Sequence, residues 1–170
     1  MSRMISIVVS LIFFISVPLL FLKFYSVEFM MTAMVLNTVI FIAALQDIKN
    51  MTISTKLIGI LLVFYLISMV SGFQVVSFSQ SLLGGAISGL CLLSIYFLSK
   101  RQLGEGDIML LVASSLMLGI YGFFRIIMFS LLPAAICSIV LLVIKNAGIK
   151  TEISFVPFIM VGTITTLLLW

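Results

Sequence analysis

Seven apolar stretches dominate this chain, near residues 4–22, 29–46, 57–78, 81–99, 108–122, 126–144 and 153–170, with ten residues or fewer between one and the next. No water-facing fold can hide that much apolar surface. Only nine Lys/Arg and five Asp/Glu are available to cover it, and 64% of the residues are hydrophobic against roughly 45–50% in a soluble domain. Lipid must therefore be the solvent for most of the chain. A spanning helix takes about 20 residues, so seven use ~140 and leave ~30 for ends and connections, too few for a sizeable soluble domain. The sequence thus predicts an all-α, polytopic integral membrane helical bundle of about seven transmembrane helices. It reads as a single membrane-embedded domain over 1–170, with helix 1 at about 4–22 and a catalytic core over about 29–170.

The few charges orient the bundle. With a cytoplasmic N-terminus, Arg3, Lys49, Lys56, Lys100, Arg101, Lys145 and Lys150 fall inside, while only Lys23 and Arg125 fall outside. That asymmetry obeys the positive-inside rule, which holds because every connection is short. The scheme needs a tight turn at Tyr121–Arg125 to separate helices 5 and 6. The first stretch is also longer than the 7–15 apolar residues of a signal sequence, and no Ala-x-Ala-like site follows it, so it reads as a retained helix.

Composition excludes several chemistries. The absence of His removes His-based metal sites and His-dependent nucleophiles. Cys91 and Cys137 lie within apolar runs and read as small packing residues. No metal or cofactor is expected. The net charge of +4 suits anchoring to anionic lipid, and no basic block is long enough to suggest nucleic acid. Gly85-x-x-x-Gly89, with Gly84 and Ser88, predicts close helix packing; Asn37 predicts an interhelical hydrogen bond; Pro133 and Pro157 predict kinks.

The topology brings two acidic residues to one face of the membrane. Asp47 ends the apolar run of helix 2, and Asp107 closes Gly104-Glu105-Gly106-Asp107 at the start of helix 5. Taken singly, Asp107 is an ordinary helix N-cap and Asp47 a boundary charge beside Lys49 and Lys56. Yet Asp107 opens an apolar run of only ~15 residues, ~22 Å against a ~30 Å hydrocarbon core, which places it below the bilayer surface. Ionisable groups at such depth are functional candidates. Gly104 and Gly106 suit a loop that dips into the membrane edge, where glycine permits unusual backbone conformations and close approach by another chain.

These residues resemble the type IV prepilin peptidases, bacterial membrane aspartyl proteases of the GxGD class. Asp47-Ile48-Lys49-Asn50-Met51-Thr52-Ile53-Ser54-Thr55 is similar to the family's Asp-x5-Ile-Pro-Asn segment, and Leu103–Leu111 to the segment carrying the second aspartate. Ile153-Ser154-Phe155-Val156-Pro157-Phe158 is similar to a Pro-Phe-Gly-Pro-Phe-like stretch in the last helix. Ser54 and Thr55 stand where Pro-Asn is usual, Met109 where Lys often follows, and Ser154 and Val156 where Pro and Gly are usual. The Cys-rich cytoplasmic domain of longer members has no counterpart, so a short form without N-methyltransferase activity is expected.

The resemblance implies a leader peptidase that cleaves prepilins or pseudopilins of a type IV pilus or type II secretion system in the bacterial inner membrane. Asp47 and Asp107 would be the catalytic pair facing the cytoplasm, and Gly104 and Gly106 would shape the motif loop. Lys49, Lys100 and Arg101 would either contact an acidic residue near the start of the mature pilin or serve as orientation anchors at the headgroups. Partners would be the substrate helix and the lipid bilayer. Three other readings compete, one of them a structural membrane subunit with no chemistry, favoured only if both aspartates prove replaceable. Presenilin-like proteases share GxGD but pair it with Tyr-Asp, whereas Gln46 precedes Asp47 here. A small transporter or channel would use Asp47 and Asp107 as a proton or cation site, and predicts polar groups deeper in several helices.

Overall fold

A computed structural model describes residues 2–23, 26–99, 103–145 and 154–170. Six helices form: α1 (Ser2–Lys23), α2 (Val27–Asn50), α3 (Thr55–Ser71), α4 (Phe78–Leu98), α5 (Glu105–Lys145) and α6 (Val156–Leu168), with no strand among the described residues. The all-α expectation holds. Four apolar segments have the length and composition to cross a membrane, in α1, α2, α4 and α5, whereas α3 and α6 are shorter, at 17 and 13 residues.

The outer surface is apolar, with Met4, Phe14, Leu22, Val70 and Leu98 each more than two thirds exposed, as a lipid-facing surface requires. Inside, α2 is the organising helix. Its buried residues Phe29, Thr32, Ala33, Leu36, Asn37, Ile40, Ala43, Ala44 and Asp47 recur at helical spacing and form one continuous stripe. Helices α1 and α6 pack on α2, and α6 also lies along α5. The interhelical bond expected of Asn37 is present, its amide nitrogen donating to Ser16 Oγ of α1 at 2.9 Å.

The expectation of seven spans is met only in part, and the reason lies in α5. At 41 residues it would extend ~62 Å if straight, twice the thickness of a hydrocarbon core. Gly119 interrupts it with φ 66° and ψ −172°, a region essentially restricted to glycine, and divides it into 105–118 and 120–145. The break was expected at Tyr121–Arg125, but those residues are helical. Arg125 misled because a charge normally marks a connection. Here the helix runs on through Arg125, whose guanidinium lies 5.7 Å from the centre of the Trp170 ring just beyond α6, a cation–π contact.

Packing of α4 against this break corrects a second expectation. A Cβ on Gly84 would fall 2.6–2.8 Å from backbone atoms of Gly119, Ser115 and Ile120, and one on Gly85 would strike Leu116. Ser81 Oγ donates to the Leu116 carbonyl at 2.7 Å. Gly89 meets nothing within 4 Å, so the close approach is made by the pair 84–85 and not by the 85/89 spacing. Three further expectations change. Cys91 and Cys137 are exposed on the lipid-type surface. Pro157 sits in the first turn of α6, where its missing N–H costs nothing, and so starts the helix without kinking it. The third helix stops at Gly72 in a left-handed cap (φ 76°, ψ 4°), short of residue 78.

Alanine at Gly119 must adopt a backbone region that costs about 1–3 kcal/mol for a residue with a Cβ. Gly119→Ala is expected to lower the unfolding midpoint in mixed micelles by a corresponding amount. Gly89→Ala, with open space around it, is expected to leave that midpoint unchanged.

Candidate active site

Asp47 is the last member of the buried stripe of α2, and this, more than its sequence neighbours, decides its environment. It is 7% exposed, so it turns into the bundle and does not reach outward beside the exposed Lys49. Its Oδ2 accepts two hydrogen bonds from the start of α6, one from Ser154 Oγ at 2.5 Å and one from the Val156 backbone N–H at 3.2 Å. A buried carboxylate needs such partners, since removing it from water costs several kcal/mol.

The chain leaves α2 in a compact turn. Met51 adopts a left-handed conformation (φ 52°, ψ 32°) and its N–H donates to the Asp47 carbonyl at 2.9 Å. The Ser54 N–H donates to Gln46 Oε1 at 3.2 Å, which folds residues 51–54 back over the end of α2. Ile53 is carried by this turn onto Gly106. A Cβ on Gly106 would lie 2.9 Å from Ile53 Cβ, and a Cβ on Gly104 would lie 3.1 Å from Asp107 Oδ2. The two glycines therefore act through absent side chains. The unusual backbone conformations expected of them do not occur, because only Gly72 and Gly119 among the described glycines have positive φ.

Asp107 lies in the first turn of α5, anchored by its N–H to the Gly104 carbonyl at 3.1 Å. Asp47 and Asp107, 60 residues apart in sequence, line one cavity of ≈ 370 Å³ together with residues 51–53 and 104–106. Two carboxylates on one cavity repel when both are ionised and so favour holding a single proton between them. Such a pair can activate a water with its ionised member and hydrogen-bond a carbonyl oxygen with its protonated one. Asp47, Glu105 and Asp107 share the cavity, yet no acidic group with metal-holding geometry is found among the described residues.

A second cavity, of ≈ 450 Å³ and almost wholly apolar, adjoins the first. Its walls come from α3 through Ile58 and Leu62, from α4 through Gly89 and Leu93, and from α5 through Met109 and Val112. Glu105 lines both cavities, and its Oε1 accepts a hydrogen bond from the Tyr96 hydroxyl at 2.6 Å.

Of the residues singled out in the sequence, the structure brings Asp47, Asp107, Gly104 and Gly106 together. Lys49 is not among them: two residues beyond Asp47 on the helix, it points away and is exposed. Lys100 and Arg101 lie outside the described residues. Ser154, Tyr96, Glu105 and Ile53 were missed as site residues. Glu105 carried a signal, an acid between the two motif glycines, and Ser154 carried one as a hydroxyl where the resembled stretch has proline. Tyr96 and Ile53 carried none.

Comparison with known proteins adds an independent finding. Residues 34–143, about two thirds of the chain, match the model of the Type IV leader peptidase family, a span that includes both aspartates and both motif glycines. Neither the curated proteins nor the solved structures contain a significant match. Helices of membrane-spanning length and composition, a paired-carboxylate cavity and a family match over most of the chain all agree, and the chain belongs to the type IV leader peptidase family.

Proposed function

We propose that the protein is an aspartyl endopeptidase of the bacterial inner membrane that removes the short cytoplasmic leader from type IV prepilins or pseudopilins. Asp47 and Asp107 are its catalytic pair, at the cytoplasmic boundary of the bilayer. The observation that carries this reading is the shared cavity, which two acids from distant parts of the chain line together. Family membership makes the protein a peptidase; the pair supplies the chemistry.

In this mechanism a water held between the carboxylates attacks the scissile carbonyl as the ionised aspartate takes its proton. The protonated aspartate gives its proton to the carbonyl oxygen, and the tetrahedral species then collapses with cleavage of the C–N bond and protonation of the leaving amine. The segment of α5 before its break, 105–118, reaches only ~21 Å at 1.5 Å per residue. Asp107 at its start thus sits below the headgroups, where a hydrophobic stem meets its leader. The apolar cavity beside the pair, which shares Glu105 as a lining residue with it, receives that stem.

Buried hydroxyls favour this reading over a proton or cation path. Ser114, Ser115, Ser130, Thr163 and Thr166 each donate to the carbonyl four residues earlier on their own helix, so their protons are committed within single helices and are not passed between helices along a relay. Hydrolysis alone is proposed, without methyl transfer.

Co-expression with a leader-bearing prepilin, read by the mobility of the pilin, tests the pair. Asp47→Asn and Asp107→Asn are each expected to insert normally and leave the leader in place; normal processing by either variant overturns the pair. Gly106→Val is expected to push away the turn carrying Ile53 and to slow cleavage by about 10²-fold, the scale of an ångström-sized misplacement. Adding Ile53→Ala should recover part of that loss. Gly89→Leu projects a side chain into the apolar cavity and is expected to raise KM about tenfold while leaving kcat near its original value, measured with purified enzyme in vesicles.

A further inference from the structure

Two aspartates sharing one proton leave open which of them activates the water. Their hydrogen-bond surroundings differ, and the difference points one way. Both bonds to Asp47 fall on the same oxygen, Oδ2. A backbone N–H can only donate, so the bond from Val156 requires Oδ2 to act as an acceptor. The Ser154 hydroxyl donates to the same atom at 2.5 Å, and two donors on one carboxylate oxygen stabilise the charged form over the neutral acid, whose carbonyl oxygen is the weaker acceptor. Val156 is the first residue of α6, so its N–H has no acceptor within its own helix, and the Asp47 carboxylate caps that helix from another part of the chain. No described group donates to the Asp107 side chain; the motif glycine Gly104 faces its Oδ2 with no side chain.

We propose that Ser154, with the Val156 N–H, is a positioning residue that holds Asp47 as the ionised, water-activating member of the pair, so that Asp107 carries the shared proton. The groups facing Asp47 agree with this assignment. From α5 they are Asp107 and Glu105, both acidic; α6 has no titratable side chain, and Lys49 and Lys56 are exposed on the outside. A proton placed on Asp107 relieves the repulsion and keeps the two donors of α6 on a charged acceptor, where they are strongest.

The catalytic consequence rests on the peptidase reading, and the proton inventory closes around the cycle. Asp47 takes a proton from water as the O–C bond forms, and Asp107 passes its own to the carbonyl oxygen, giving a gem-diol. On collapse Asp107 takes a proton back from one hydroxyl as the C=O bond re-forms. Asp47 delivers its proton to the departing nitrogen as the C–N bond breaks. Both carboxyls then stand as they began.

The test uses full-length protein in lipid vesicles, a leader-bearing peptide, and the variants Ser154→Ala and Ser154→Thr. Loss of one hydrogen bond to a charged group is expected to lower kcat about tenfold in Ser154→Ala with KM unchanged, and Ser154→Thr, which keeps the hydroxyl, is expected to restore it. Infrared difference spectra provide a readout that does not need turnover. The carboxylate stretch lost in Asp47→Asn should shift in Ser154→Ala and return in Ser154→Thr, and the protonated-carboxyl stretch of the wild type should be missing from Asp107→Asn.

Wild-type kcat in Ser154→Ala, or an unmoved carboxylate stretch, overturns the role of Ser154. A protonated-carboxyl stretch that survives in Asp107→Asn and is lost in Asp47→Asn places the proton on Asp47 and overturns the assignment. A wild-type protein that cleaves no leader overturns the peptidase reading instead, while the spectra still decide whether Ser154 holds Asp47 ionised.

Discussion

The carboxylate of Asp47 is buried at the end of an apolar helix, and the rest of the arrangement follows from what a buried carboxylate requires. Without partners it would be untenable, because desolvation of a charge costs several kcal/mol. The start of α6 supplies two donors, and the first-turn N–H of that helix is itself satisfied only by an acceptor from outside. One contact thus meets two needs. It joins the C-terminal end of α2 to the N-terminal end of the last helix, which packs on both α2 and α5.

Absent side chains do as much as present ones. Gly106 lets the turn after α2 lie against the start of α5, which brings the two aspartates onto one cavity, and Gly104 leaves space beside the Asp107 carboxylate. At the other end of the same segment, Gly84 and Gly85 let α4 press on α5 where Gly119 breaks it. The short segment 105–118 is therefore held at one end by the Ile53 side chain against Gly106 and at the other by its own backbone against Gly84, close contacts that a Cβ on either glycine would prevent. Such fixed backbone suits a site whose two acids come from different helices, because their separation is set by helix packing and not by flexible loops.

Much of this was legible in the sequence. Apolar run lengths made the protein a helical membrane bundle, and the side on which each charge falls put Asp47 and Asp107 at the same end, which the shared cavity agrees with. Charge as punctuation failed at Arg125, where an aromatic ring from the last residue of the chain receives the guanidinium and the helix continues. Spacing of small residues failed at Gly89, because a pattern along one helix does not say which face another helix meets. Ser154 looked like a departure from the resembled stretch, and only its place 107 residues from Asp47 in sequence, yet in hydrogen-bond contact, gives it a part in the site.

By itself, then, the sequence determined the solvent, the helical class and the two acids worth attention, since these follow from composition, run length and the scarcity of charge. Only the tertiary structure decided where α5 breaks, that Asp47 faces inward with its oxygen on α6, and that an apolar cavity adjoins the pair through Glu105. Those features depend on contacts between residues far apart in the chain and on which helix face is covered, and neither is written in local composition or periodicity.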